Sequence, residues 1–265
     1  MALKSLLEHT AYYPPEEYGT AANAQHGYQD FAAAEAQRNI AFDDLEIRRG
    51  FIRKVFLIVF FQLLLVVAMI VTARQVEGVN DFIVQRPYLM IIAMVAFFAT
   101  YIALMCCGNV RRMFPLNLIL LFVLTVVMGF MTVTMSARYD TELIVQAAGI
   151  VACVLLVIIL ITVFTKIDIT KYAFIIAIIG LVAAVVGMFL VIAMLFTNSS
   201  LLNIIYSGMM AVVFTLYLFV DIQMIMGGRT VELSPEEYIL AAIQIFLDIV
   251  YLFWMILQLL GSSNN

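Results

Sequence analysis

The sequence has few charged residues, few prolines and almost no histidine or cysteine. Only 12% of its 265 residues are Asp, Glu, Lys or Arg, with 5 prolines, 2 histidines and 3 cysteines. An ordinary soluble domain, in which about a quarter of the residues are charged, is therefore excluded. The formal charge of −4 offers no basic surface for a nucleic acid.

The cysteines, Cys106, Cys107 and Cys153, have neither a disulfide framework nor zinc-ligand spacing. No cofactor is predicted. Packing in the protein core is the expected role of the three thiols. S-palmitoylation of the Cys106–Cys107 pair at a helix end is the alternative.

Apolar residues are what the chain has in abundance. They make up 65% of the sequence and give a mean hydropathy of +1.07. They form runs of about 20 residues, each long enough as a helix to cross a ~30 Å hydrocarbon layer. The runs cover residues 55–73, 88–107, 116–137, 143–165, 172–196, 204–226 and 238–260. The predicted fold is an all-α membrane protein, a seven-transmembrane-helix bundle over residues 47–265.

Basic residues orient this bundle. Residues 1–46 lack an apolar face and are predicted to form a disordered cytosolic tail. Loops on one side of the membrane carry Arg48, Arg49, Arg53, Lys54, Arg111, Arg112, Lys166, Lys171 and Arg229. The positive-inside rule makes that side cytosolic, so the C-terminus is lumenal or extracellular. A re-entrant last segment would instead return it to the cytosol.

Two aspartates interrupt the last two apolar runs and form the predicted functional centre. A carboxylate inside a span costs roughly 2.5–3.5 kcal/mol on insertion scales, which calls for a partner or a water-filled cavity. Asp221 lies ~9 Å from the end of its span, and Asp248 ~11 Å from the same side of the membrane. The two carboxyl groups are therefore expected to meet, to share a proton and to titrate as a unit. The structural alternative is a pair that only locks two helices together.

Other polar residues follow the aspartates along the same helices. Gln244 and Tyr251 share a helical face with Asp248, and Tyr217 lies one turn before Asp221, so a polar seam is predicted inside the bundle. The ionised pair would offer up to four oxygens, the ligands that calcium prefers. Asp221 and Asp248 are thus a candidate transient calcium site.

The last helix has a recognisable start. Ser234 is a predicted N-cap, Pro235 occupies the first helical position, and Glu237 completes a capping box three residues after the serine. Gly227 and Gly228 are predicted to end the preceding helix.

Several of these segments resemble a known family. The segments NIIYSG, LYLFVDIQMIMGG and ELSPEEYILAAIQIFLDIVYLF are similar to the C-terminal signature of the transmembrane Bax inhibitor motif family. The segments RRGFIRKVF and RRMFPLNLILLFVLT resemble its Lifeguard branch, which includes proteins called glutamate-receptor-associated. The resemblance covers residues 42–260.

The resemblance implies a bundle with the last helix at its centre and residence in endoplasmic reticulum or Golgi membranes, with the plasma membrane as the alternative. It also implies protection against cell death and a pH-sensitive calcium leak. In bacterial relatives the paired aspartates close the pore together with an arginine at the end of the second span. Those positions match Asp221, Asp248 and either Arg111 or Arg112, which are therefore candidate gate partners. Simple anchoring at the interface is the alternative for the arginines.

Three functions fit such a membrane pair. A calcium leak needs acidic oxygens at a constriction and no energy-coupling machinery, with calcium as the permeant ion. An adaptor would act by binding cell-death regulators or receptors without conducting ions. An intramembrane aspartyl protease would be expected to show YD and GxGD motifs, whereas the contexts here are VD and LD. The chain is therefore predicted not to be an enzyme. Its expected partners are the lipid bilayer, calcium and, for the adaptor alternative, cell-death regulators or receptors, and no nucleic acid is expected.

Overall fold

A computed structural model describes residues 21–197 and 199–263, and this part of the chain is helical without strands. The α-helices are α1 (Ala21–Gln75), α2 (Val79–Val84), α3 (Tyr88–Cys106), α4 (Gly108–Arg112), α5 (Leu116–Ser136), α6 (Thr141–Phe164), α7 (Ala173–Thr197), α8 (Ser200–Met226) and α9 (Tyr238–Ser263). Two 3₁₀ turns, Thr170–Tyr172 and Pro235–Glu237, precede α7 and α9.

Within the described part of the chain, seven stretches are long and apolar enough to cross a membrane, which confirms the predicted fold class. They are Asp44–Gln75, Tyr88–Cys106, Leu116–Ser136, Thr141–Phe164, Thr170–Met194, Ser200–Met226 and Pro235–Ser263. Helix α9 runs unbroken for 26 residues. At 1.5 Å per residue this is about 39 Å, a length that favours a full span over a re-entrant segment.

The predicted tail coincides with a division of the chain into the units Met1–Glu46 and Ile47–Asn265. Residues 1–20 lie outside the described residues. Residues 21–46 belong to α1, and their alanine-rich sequence favours a helical backbone. The disorder of the tail stays a prediction.

Helix α9 is the centre of the bundle, as predicted. In its most apolar window 78% of the residues are buried, against 17–44% for the other six spans. Opposite faces of α9 belong to different apolar clusters, one containing Ile245 and Ile249 and the other containing Ile243 and Phe246. Only a helix surrounded by neighbours can bury residues on all its faces.

The three cysteines are exposed, so the core packing predicted for them is wrong. Cys106 ends α3, Cys107 lies between α3 and α4, and Cys153 lies on α6. The physical reason is that the outer surface of a membrane bundle is as apolar as its core. Apolar sequence context therefore does not distinguish a buried thiol from a lipid-facing one.

Candidate functional site at the paired aspartates

Asp221 on α8 and Asp248 on α9 lie side by side in the bundle. They are 9% and 8% exposed, and their carboxyl groups are within hydrogen-bonding reach of each other. We call these two residues the aspartate pair. Helices α8 and α9 follow each other in the chain and pack closely, which brings the two carboxyl groups to one depth.

The turn after α8 depends on glycine. Gly227 has a φ of 74° and Gly228 a φ of 68°, a backbone region that residues with a side chain rarely adopt. The amide of Gly227 donates to the carbonyl of Gln223, which closes the end of the helix. Asp221 consequently lies in the last two turns of α8, at the depth that the sequence predicts.

Both aspartates lie in buried stretches of their helices. Their chain neighbours Val220, Ile222, Leu247 and Ile249 are all buried. No ion pair links either aspartate to a cation in the described residues. Two ionised carboxylates without a cation in such a site would be costly. One proton shared by the pair would remove half of that charge.

The surroundings of one carboxyl oxygen also favour a proton shared by the aspartate pair. Oδ2 of Asp248 is buried, and no N–H or O–H group in the described residues donates to it. A protonated carboxyl group is itself a donor. The arrangement therefore favours a carboxyl–carboxylate hydrogen bond between α8 and α9.

Three tyrosines lie near the aspartate pair, two of which the sequence predicts. Tyr217 is close enough to interact electrostatically with both aspartates, and Tyr251 with Asp248. Tyr101 on α3 interacts with both aspartates and was missed. Its depth was the available signal, since six residues separate it from Cys107, or ~9 Å along the helix, as for Asp221.

Aromatic stacking and a glycine position these tyrosines. The rings of Phe214 and Tyr251 are stacked at 5.2 Å, and Tyr251 meets Trp254 edge-on at 5.4 Å. The hydroxyl of Tyr217 lies directly against Gly180 of α7, in the space that a Cβ would take. Only a glycine at that position leaves room for the tyrosine.

Gln244, the remaining member of the predicted seam, is half-buried on α9. Its Oε1 is buried, and no donor in the described residues reaches it. The glutamine thus shares a helix with Asp248 without a hydrogen bond that links it to the aspartate pair.

The structure pairs both candidate gate arginines with Glu237 at the start of α9. Nε of Arg111 lies 2.6 Å from Oε2 of Glu237, and NH2 of Arg112 lies 2.6 Å from Oε1. Arg111 also donates to the carbonyls of Leu104 and Met105, at 3.3 and 3.2 Å, at the end of α3. Neither arginine forms an ion pair with the aspartate pair. In this conformation they join the end of α3 and helix α4 to α9.

These ion pairs overturn the predicted capping box. Ser234 is the N-cap of the 3₁₀ turn that leads into α9, but its side chain makes no capping hydrogen bond. The carboxylate of Glu237 is bound by Arg111 and Arg112 instead of the serine amide. A charge-assisted contact with two guanidinium groups outcompetes a hydrogen bond from a neutral amide.

Comparison with known proteins gives the family of this chain. The sequence model described as "Inhibitor of apoptosis-promoting Bax1" matches residues 48–265. The chain belongs to the Bax inhibitor family. It is 36% identical over 252 residues to Protein lifeguard 3 of Homo sapiens, covering 94% of this chain and 80% of that protein. Protein lifeguard 3 of Mus musculus is 35% identical over 261 residues, covering 97% and 84%.

A second branch member is more distant. Protein lifeguard 4 of Mus musculus is 28% identical over 227 residues, covering 85% of this chain and 90% of that protein. These matches confirm the predicted family and its Lifeguard branch. Family membership and the seven apolar helices establish a multi-pass membrane protein.

In this Bax inhibitor family protein, the loop between the aspartate-bearing helices is also held by the first span. NH2 of Arg48 lies 2.5 Å from Oε2 of Glu232, and NH1 donates to the carbonyl of Leu233 at 2.6 Å. A Cβ on Gly227 would meet the Arg48 guanidinium. Sequence reasoning used Arg48 only for topology, because nothing local indicates a partner that lies 184 residues away.

The loop before α7 is hydrogen-bonded to the end of α8 and to the loop before α9. Gln223 of α8 is fully buried, accepts from the amide of Ile169 and donates to the carbonyl of Ile167, both at 2.9 Å. Asp168 accepts hydrogen bonds from the hydroxyls of Thr170 and Thr230, both at 2.7 Å. Those bonds hold the pKa of Asp168 far below its usual range. The loops that precede α7 and α9 therefore form one hydrogen-bonded layer.

Proposed function

We propose that this protein is a pH-sensitive calcium leak channel of intracellular membranes that modulates calcium homeostasis and inhibits apoptosis. The observation that carries the proposal is the aspartate pair, two buried carboxyl groups in hydrogen-bonding reach that form no ion pair with a cationic side chain of the described residues. Membership of a family described as inhibitors of apoptosis-promoting Bax1 supports the role in cell death.

The chemistry of the pair links protons to calcium. A shared proton makes a hydrogen bond that joins α8 to α9 and leaves one negative charge. When the pair is fully ionised, the two carboxylates repel each other and present oxygens suited to a hard divalent cation. Proton binding and calcium binding therefore compete at one place. The three nearby tyrosines supply polar groups close to the pair.

Calcium flux in liposomes that contain only this protein is the deciding experiment. We expect flux that depends on pH, and a flattened pH profile in both Asp221→Asn and Asp248→Asn. The double variant should add little, because either change already dissolves the pair. Asp140→Asn is the matched control, since Asp140 is exposed and its side chain makes no capping hydrogen bond.

The outcomes separate the competing functions. Liposomes that stay tight at every pH would favour an adaptor that binds cell-death regulators or receptors. Flux with an unchanged pH profile in both single variants would leave the aspartates as a helix lock. A location in endoplasmic reticulum or Golgi membranes is part of the proposal, and imaging of the tagged protein against plasma-membrane markers tests it.

A further inference from the structure

Two adjacent thiols lie at the end of the second span. Cys106 is the last residue of α3, and Cys107 lies in the break before α4 with a non-helical backbone at φ −100° and ψ 86°. Both are exposed. We propose that Cys106 and Cys107 form an S-acylation site, which takes a long-chain fatty acyl group from an acyl-coenzyme A donor.

The depth of the thiols matches the membrane surface. Arg111 and Arg112 follow within about one helical turn. The Arg111 guanidinium donates to the carbonyls of Leu104 and Met105, so a charged group and the thiols lie at the same end of α3. Arginine at a span end marks the headgroup region, and the charge pattern of the loops puts this end in the cytosol, where acyl-coenzyme A is available.

The surface of α3 offers a path for the attached chain. Ile91, Val95, Phe98 and Ile102 are 64%, 65%, 52% and 53% exposed. With Cys106 they are spaced four, three, four and four residues apart, so they form one stripe along the helix. The stripe is about 22 Å long. A chain linked to Cys106 would lie along this lipid-facing surface without displacing any core residue.

The break at Cys107 exposes the second thiol in a different way. Helix α3 ends at Cys106, and the following five-residue helix α4 starts at Gly108. Cys107 is therefore presented by non-helical backbone between two helices rather than by a helical face. An enzyme that transfers acyl groups needs such local access to the sulfur atom.

The chemistry balances without an oxidant or reductant. The thiolate sulfur attacks the thioester carbonyl carbon of the donor, a new carbon–sulfur bond forms, and the bond to coenzyme A breaks. Coenzyme A leaves as its thiol and carries the proton. The modification does not depend on whether the aspartate pair conducts calcium.

Cys153 provides a matched internal control. It is exposed like the other two but lies in the middle of α6, about 17 Å from either end of that helix. A thiol at that depth is far from the headgroup region and from a cytosolic donor. Cys153 and Cys106 are thus both exposed cysteines on apolar helices, and they differ in their distance from the helix end.

The test is thioester-specific labelling of the full-length protein expressed in cells that contain acyltransferases. Free thiols are blocked with N-ethylmaleimide, thioesters are cleaved with neutral hydroxylamine, and the released thiols are tagged with a polyethylene glycol maleimide that shifts the protein on a gel. We expect a shifted band for the wild type and for Cys153→Ser. The shift should disappear in Cys106→Ser/Cys107→Ser and in samples without hydroxylamine.

The single variants Cys106→Ser and Cys107→Ser show which sulfur atom is modified. If both cysteines carry an acyl chain, the wild type should give two shifted bands and each single variant should give one. Incorporation of an alkyne-bearing fatty acid gives an independent readout. No shift and no incorporation in the wild type would overturn the proposal, as would labelling that persists in the double variant or vanishes in Cys153→Ser. Elution of the double variant as a monodisperse species in detergent shows that a lost label does not reflect misfolding.

Discussion

Three helical glycines make a graded test of how closely the spans pack. A Cβ added at Gly180 would meet the Tyr217 ring, whereas a Cβ at Gly129 would meet the flexible end of Met69, with its Sδ at 2.6 Å and Cε at 3.3 Å. A Cβ at Gly149 would meet nothing within 4 Å. An added methyl group would therefore press on a rigid ring at Gly180 and on a flexible side chain at Gly129, and it would have free space at Gly149.

The expected stabilities follow from two opposing terms. Replacing a helical glycine by alanine favours the helix by roughly 0.5–1 kcal/mol, and all three sites share this term. Overpacking a rigid neighbour costs typically about 1–3 kcal/mol, whereas a methionine adapts at lower cost. Gly149→Ala should therefore equal or exceed the wild type, Gly129→Ala should lie slightly below Gly149→Ala, and Gly180→Ala should be the least stable.

The assay is thermal unfolding of the purified protein in detergent, followed by the fraction that stays monodisperse. At about 2–4 °C per kcal/mol for a chain of this size, the overpacking term corresponds to a midpoint roughly 2–12 °C lower for Gly180→Ala than for Gly149→Ala. Gly180→Ala should lower the midpoint less in a Tyr217→Ala background than in the wild type, because the ring that the added methyl group meets is absent. Equal midpoints for Gly180→Ala and Gly149→Ala would refute the close contact between α7 and Tyr217.

Four further predictions concern the loops, the topology and the tail. Arg48→Ala should lower the free energy of unfolding by up to about 1 kcal/mol. In the presence of Glu232→Gln the loss should be smaller, because only the hydrogen bond to Leu233 remains to be removed, and Arg49→Ala, at an exposed position, should have no effect in the same unfolding assay. Thr230→Val should reduce stability near neutral pH by removing a hydrogen bond to Asp168. Because the folded-state pKa of Asp168 is lowered, its contribution is present above the unfolded value of ~3.9 and is lost as pH falls below it, so pH-dependent unfolding should show the variant and the wild type converge in acid. Proteolysis of intact microsomes should cut the loop between the last two spans, and protection of that loop would contradict the predicted topology. Deletion of the predicted tail should leave a monodisperse bundle, and aggregation of the truncated protein would count against its dispensability.

The spans were predictable because a physical length fixes them. The third span was predicted at 116–137 and is Leu116–Ser136, and the fourth was predicted at 143–165 and is Thr141–Phe164. Hydrocarbon thickness sets a minimum run of apolar residues, and loop residues with charge interrupt it. The meeting of the two aspartates was predictable for the same reason, since helical rise converts position in the sequence into distance along the helix, and their depth in the membrane stays a prediction.

Side-chain partners were predictable only when they were close in sequence. Tyr217 and Tyr251 share helices with the aspartates, so spacing identifies them, whereas Tyr101 arrives from another span whose rotation the sequence does not show. The capping box failed because Glu237 has stronger partners in a distant loop. Apolar context failed for the cysteines because lipid and protein core select the same residue types.

Three arginines bind the loop that joins α8 to α9 and the start of α9. Arg111 and Arg112 hold Glu237 at the beginning of α9, and Arg48 holds Glu232 in the preceding loop. This loop joins the two helices that carry the aspartate pair. The ion pairs at this end of the bundle and the carboxyl groups inside it therefore constrain the same two helices. If ionisation of the aspartate pair moved α8 away from α9, the loop between them would move as well. The ion pairs that Arg48, Arg111 and Arg112 make with this loop and with the start of α9 would then be strained or broken. The candidate site therefore comprises the buried pair together with the loop that joins its helices, and the arginines are ion-paired with glutamates of that loop and of the start of α9.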